Sequence, residues 1–371
     1  MSSETLPTGR SANRFAWVDI AKGLCIIAVV CLYARNDLMT VFGGAGWLEP
    51  WAAFARPFRM PDFFLLSGLF LSAVIDRPWR SYLDTKVAHY VYFLLLWVTI
   101  LFAYDIFVLG NSTEALRDPV TFVKQWTYAL RYPEYMLWFI QMLPVFFVVT
   151  RLLRGVPKLL LWAAAAAAMA LHLKTGISPI DNFSTYYVYF LTGHLGAVWI
   201  FKWADLARRH RAPTAVLFVA WCVLNQWAVS AGLTTQTGLN LLFGFLGVTA
   251  ILGLSTLLAP LRGFAWMAHA GANSIVVYLG FFIPLTLLVR FAWAGQWPVD
   301  IHTLATLVVL FSVAAPLLLF HLTRNTPLRY LFVRPAWAHW PMPAVRAQVA
   351  ATPPSSGERA PGSASASRLP S

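Results

Sequence analysis

Residues 238–259 read GLNLLFGFLGVTAILGLSTLLA, twenty-two positions without one Asp, Glu, Lys or Arg. That is enough helix to cross the roughly 30 Å hydrocarbon core of a bilayer. The pattern recurs in both directions along the chain. Further apolar blocks fall near 17–37, 57–76, 86–108, 134–153, 158–173, 184–204, 213–232, 273–293 and 301–323. Together they predict an all-α, polytopic transmembrane helix bundle of about ten spans, with the lipid bilayer as its first partner. Of the 371 residues, 59% are hydrophobic and 12% charged. That is about half the charge of a soluble domain, so no sizeable soluble domain is expected.

The net charge of +13 does not mark a nucleic-acid binder. The basic residues stand singly or in small groups between apolar blocks, where a membrane protein uses them to set its orientation. With the N-terminus in the cytoplasm, nineteen Lys and Arg fall on the inner side and eight on the outer side. Both termini are therefore expected in the cytoplasm, which requires an even number of spans. The expected setting is a bacterial inner (plasma) membrane. The segments are a cytoplasmic N-terminal tail over 1–16, a transmembrane domain over 17–325, and a disordered cytoplasmic tail over 337–371, rich in Pro, Ala, Ser and Gly. The first block contains Asp19 and Lys22 and reads as a retained helix, not a cleaved signal. Cys25, Cys31 and Cys222 lie inside apolar blocks with no metal-type spacing and read as inert packing residues.

Ionisable groups at membrane depth are expensive, so each is a functional candidate. Asp19 and Lys22 lie three apart near the inner end of the first block. The plain reading is a local ion pair with a snorkelling lysine; the functional one is an electropositive site for a phosphate-bearing donor. Tyr33, Arg35 and Asp37 stand at the other end of that block, and Arg56, Arg59 and Asp62 open the second, around Pro57 and Pro61. These two clusters are expected to meet near the outer face, either as an interhelical salt-bridge network or as a polar pocket. His194 falls about halfway through the sixth block, flanked by Gly193 and Gly196, which permit close helix approach. His89, His172, His269 and His302 fall at block ends and read as interfacial anchors. No phosphate loop, zinc-ligand pair or nucleophile elbow appears, so no metal is expected.

Four stretches stand in a telling order: WVDIAKGLCIIAVVCLY at 17–33, FRMPDFFLLSGLFLS at 58–72, YMLWFIQML at 135–143 and GANSIVVYLGFF at 271–282. Over roughly 14–325 the chain resembles the acyltransferase type 3 family of bacterial inner-membrane proteins. The resemblance implies O-acyl transfer, usually of acetyl, from cytoplasmic acyl-CoA as donor substrate to a hydroxyl of an envelope carbohydrate or related acceptor at the outer face. It places Lys22 at the family's basic position and Ser67 within the second motif, the stretch from Asp62 to Gly68. Trp138, Asn273, Ser274 and Tyr278 match the later motifs. Two departures stand out. The family's presumed catalytic histidine lies eleven residues after the basic residue, and Tyr33 occupies that place; a late histidine is replaced by Phe281. A tyrosine is a poor base at neutral pH. His194, the mid-span imidazole, is therefore expected to face Tyr33. The rival reading is a non-catalytic transporter or export partner on the same scaffold, and a weaker one is a scaffold that binds other envelope enzymes.

Overall fold

The computed structural model describes residues 15–133, 135–171 and 175–340. The chain divides into a unit Met1–Trp340 and a unit Pro341–Ser371. The second unit lies outside the described residues, and so do residues 1–14. Most of the expected N-terminal tail and most of the expected C-terminal tail fall there; Ala16, the last residue of the expected N-terminal tail, already opens the first helix. Residues 337–340 are placed: they pack against the bundle through Asp84.

Where no water can take up backbone groups, a helix satisfies its own. The described residues accordingly form helices and turns, with no strand among them. In chain order the helices are α1 (Ala16–Phe42), α2 (Leu48–Ala55), α3 (Arg59–Gly68), α4 (Trp79–Leu83), α5 (His89–Tyr104), α6 (Pro119–Arg131), α7 (Trp138–Leu152) and α8 (Lys158–Ala170). There follow α9 (Ser178–Leu195), α10 (Ala197–Arg209), α11 (Arg211–Ser230), α12 (Leu239–Leu258), α13 (Ala265–Ala272), α14 (Ser274–Gly280), α15 (Phe282–Ala294) and α16 (Ile301–Thr323). Helices α4 and α5 belong to one rod, Trp79–Leu109, with π-helical turns at Asp84–Ala88 and Asp105–Leu109.

Among the described residues, six helical segments are long and apolar enough to cross a bilayer: α1, the Trp79–Leu109 rod, Trp138–Gly155, α11, α12 and α16. Helices α14 and α15 add a seventh if taken as one span bent by 47°. The remaining expected blocks are helical but short or polar. Helix α3 has 10 residues and α8 has 13, while the 18 residues of α9 include Asp181, Asn182 and several hydroxyls. Helix α3 begins only after Pro57, and its own Pro61 is tolerated in the first turn, where a missing N–H leaves no hydrogen bond unmade.

Two glycine contacts set how closely the inner helices approach. A Cβ on Gly271 of α13 would lie 1.7 Å from the carbonyl oxygen of Asp19 in α1. A Cβ on Gly193 of α9 would lie 2.0 Å from the carbonyl oxygen of Leu65 in α3, and one on Gly68 would meet that of Phe190 at the same distance. Backbones that close tolerate only glycine, as at other small-residue helix contacts in membranes. The close approach expected around His194 is thus present at Gly193.

Beyond α16 the chain turns back as a strap over the rod. Tyr92 Oη donates to the carbonyl of Tyr330 and Trp97 Nε1 to that of Leu331, both at 2.9 Å. Arg334 then reaches into the π-turn. Its Nη1 donates to the Asp84 carbonyl at 2.6 Å, its Nη2 to the Asp84 carboxylate at 2.5 Å, and Nη2 also donates to the Ala338 carbonyl.

Candidate functional site

A cavity of about 340 Å³ opens where α1, α3, the rod, α7 and α14 converge. Lys22 comes from α1, Ser67 from α3, Lys86 and His89 from the π-turn and the first residue of α5, and Ser274 and Tyr278 from α14. Phe63, Phe139 and Phe147 supply much of its apolar wall. No Asp or Glu lines it among the described residues. The cavity therefore carries two ammonium groups against hydroxyls and aromatic faces. Lys86 Nζ lies 4.8 Å from the centre of the Phe147 ring, with no ion-pair partner among the described residues. Such a cavity, apolar with a few convergent polar groups, is the usual form of a small-molecule site, and its charge favours an anion.

Four residues singled out in sequence thus share one site: Lys22, Ser67, Ser274 and Tyr278. Ser67 Oγ donates to the Phe63 carbonyl at 2.7 Å. Tyr278 donates to the carbonyl of Met136, tying α14 to the entry of α7. Asn273 does not line the cavity; its Nδ2 donates to the His269 carbonyl at 2.9 Å, closing α13 where α14 begins. Asp19, one turn before Lys22, is buried in α1 where its carbonyl faces Gly271.

Tyr33 lies in a second, aromatic cluster. Its ring packs on Phe281 and Phe282 with centroids at 5.5 and 6.4 Å. Trp138 is its polar neighbour and Arg59 stands within electrostatic reach. Trp138 stacks on Tyr186 at 5.3 Å. Arg59 is a cation with unmet donors: its Nε and Nη1 are buried without a hydrogen-bond partner. The two sites adjoin through Phe139, whose ring lies 5.4 Å from Tyr278 of the cavity and 4.7 Å from Phe64, which in turn stacks on Tyr186 at 5.1 Å.

The outer charged residues do not form one cluster. Arg35 turns to Asn36, its Nη1 donating to Oδ1 at 3.2 Å. The reason is helical phase: two residues advance about 200°, so Arg35 cannot share Tyr33's face of α1. Asp62 is wholly buried with neither carboxylate oxygen hydrogen-bonded, and the Cys25 thiol is its nearest polar neighbour. Arg59 thus joins Tyr33, while Asp62 and Arg35 stand apart.

His194 is not beside Tyr33. It lines a separate cavity with Asp76, Arg154 and Lys158, and its Nδ1 lies 3.0 Å from Ser72 Oγ. Two turns of α9 separate it from Tyr186, the residue of that helix that meets the Tyr33 cluster. Sequence reasoning missed Lys86 and His89. Both sit at the edge of an apolar block and look like interfacial anchors there; the turn of chain that carries them inward is set by Asp84 and Arg334, 250 residues apart.

Comparison with known proteins bears on this arrangement. A family model described as an acyltransferase domain matches residues 15–321. The nodulation protein NolL of Mesorhizobium japonicum is similar over 213 residues at 26% identity, a stretch covering 53% of this chain and 54% of that protein. The chain thus spans about half the length of this curated relative. No solved structure matches the chain.

Proposed function

This chain belongs to the acyltransferase domain family, and from that premise we propose that it moves an acyl group, acetyl in the simplest case, from acyl-CoA to a hydroxyl of an envelope carbohydrate or related acceptor. It is a multi-pass membrane protein by its apolar helices. In this reading the bundle has ten spans, counting α3, α8, α9 and the bent α14–α15 pair, with both termini on the cytoplasmic side of a bacterial inner membrane. The observation that carries the proposal is the convergence of Lys22, Ser67, Ser274 and Tyr278, from three separate helices, on one cavity with Lys86.

The parts divide the work as follows. Lys22 and Lys86 bind phosphate groups of the donor, since an ammonium pairs well with a phosphate oxygen. The hydroxyls of Ser67 and Ser274 and the apolar wall hold the donor's thioester end. Arg59, with two buried donors to spare, stands within electrostatic reach of Tyr33 and receives polar groups of the acceptor, whose reacting hydroxyl extends into the cavity. A direct test is donor kinetics on the purified full-length protein in nanodiscs. Lys22→Ala should raise the donor KM about 10- to 100-fold, the effect of losing one charge-assisted contact. A donor KM that ignores both Lys22→Ala and Lys86→Ala removes this site.

One observation favours the transport reading. The break at Phe281 and the shortness of α3 put interrupted helices beside the cavity, as in many secondary transporters. Acceptor uptake into vesicles without acyl-CoA would support that reading over acyl transfer.

A further inference from the structure

We propose that His89 is the general base of the acyl transfer, the role that the first helix leaves open by carrying Tyr33; this rests on the acyltransferase reading above. Among the described histidines, His89 alone lines the cavity that holds Lys22, Ser274 and Tyr278. Its ring is held edge-on between Tyr90 and Phe93, with centroids at 5.3 and 5.1 Å. These contacts fix the ring plane without using its nitrogens. No hydrogen bond engages either nitrogen among the described residues. An imidazole within a membrane bundle, held in place yet unbonded and facing a cavity, is poised for a proton that a bound molecule brings.

The placement of the ring is also built, not incidental. His89 follows the π-turn Asp84–Ala88, and single π-turns within helices recur at functional sites. That turn is pinned by the Arg334–Asp84 pair, by Trp340 N donating to the Asp84 carboxylate at 2.9 Å, and by His339 against its other oxygen at 3.3 Å. The charged and titratable groups around His89 are Lys86 and Asp84 on its own rod and Arg334 and His339 on the strap. His194 bonds Ser72 in a different cavity, and Tyr33 does not line the Lys22 cavity, its ring packing on Phe281 and Phe282.

The step balances without a further reactant. A neutral ring nitrogen of His89 takes the acceptor hydroxyl's proton as that oxygen bonds to the thioester carbonyl carbon. The tetrahedral adduct then breaks its C–S bond, and the imidazolium returns the proton to the leaving sulfur. The products are an ester and free CoA thiol, with His89 neutral again. The consequence is that the acceptor hydroxyl enters the Lys22 cavity to react, and the chemistry does not take place at Tyr33.

The test uses the full-length protein in nanodiscs with acetyl-CoA and a glycan fraction from the envelope of its host. His89→Ala and His89→Gln should each lower kcat about 100-fold or more, while His194→Ala should stay within a few-fold of the parent. Equilibrium binding of CoA should change little in His89→Gln, which shows that the site still folds. The residual activity of His89→Gln should also lose the acid limb of the parent's pH profile. A readout independent of turnover is carbethoxylation by diethyl pyrocarbonate, followed residue by residue by mass spectrometry. Acetyl-CoA should slow modification of His89 and leave that of His194 unchanged. An active parent whose kcat ignores both His89 substitutions, or a His89 that acetyl-CoA does not protect, overturns the base role alone. A parent that transfers nothing while acetyl-CoA still protects His89 overturns the acyltransferase reading and the base role with it.

Discussion

Replacing Asp84 with Ala should loosen the cavity wall and the strap together. Asp84 and Arg334 form an ion pair whose side chains are 3% and 2% exposed. The carboxylate accepts from Arg334 Nη2 at 2.5 Å and from Trp340 N at 2.9 Å. Without it, Arg334 keeps only carbonyl partners, at Asp84 and Ala338, and becomes a buried cation with no counter-charge; its Nε already lacks a partner. Breaking one side of a buried pair costs about 3–5 kcal/mol, because the charge left behind stays desolvated. Replacing both partners by apolar groups is far milder. Asp84→Ala should therefore lose about 3–5 kcal/mol in a reversible SDS titration of the purified protein, and Asp84→Ala with Arg334→Met should recover most of that loss. Because the same π-turn carries Lys86 and precedes His89, the single variant should also weaken CoA binding. Equal losses in the single and the double variant would refute the reasoning, since they would show that the pair's charge balance contributes nothing.

Three further outcomes are expected. Gly193→Ala forces a methyl group to within 2.0 Å of the Leu65 carbonyl, so α3 and α9 must part; the cost should be about 1–3 kcal/mol or more by the same titration, and an unchanged midpoint would contradict the packing. Hydrogen bonds from Thr303 and from the backbone of His302 and Thr303 hold the Asp300 carboxyl below its usual value of 3.8. A depressed value means its capping stability is fully present above that pH and is lost as pH falls through the folded value, so first-turn amides of α16 should exchange faster only in that acid range. Reporter fusions at Arg209 and Ser371 should score inside and one at Gly110 outside, following the nineteen-to-eight distribution of basic residues; the opposite pattern would invert the orientation.

Much of the fold could be read from periodicity and length. The blocks became helices, and among the described residues six segments are long and apolar enough to span a bilayer. Where the sequence misled was in treating each block as one straight span. Helix α3 starts only after Pro57 and runs for just 10 residues, and a bend at Phe281 divides the ninth block, although neither changes the local hydropathy enough to show. The site was half legible. Ordered motifs placed Lys22, Ser67, Ser274 and Tyr278 on the page together, and the structure seats them in one cavity. Spacing alone could not say that Arg35 turns away from Tyr33, that Asp62 is buried against Cys25, or that His194 opens on another cavity. Lys86 and His89 were hidden for a different reason. A basic residue or histidine at the end of an apolar run ordinarily anchors at the headgroups. What draws these two inward is a pairing between Asp84 and Arg334 that no local pattern encodes.

The central claim is that this protein transfers an acyl group from acyl-CoA through the Lys22 cavity. The most direct measurement is incorporation of label from acetyl-labelled acetyl-CoA into alkali-labile esters on envelope glycans, using membranes that carry the parent protein, Lys22→Ala, or neither. The account predicts label that depends on the protein and falls about 10- to 100-fold for Lys22→Ala at limiting donor. Label independent of the protein, or unaffected by loss of the Lys22 charge, would contradict it.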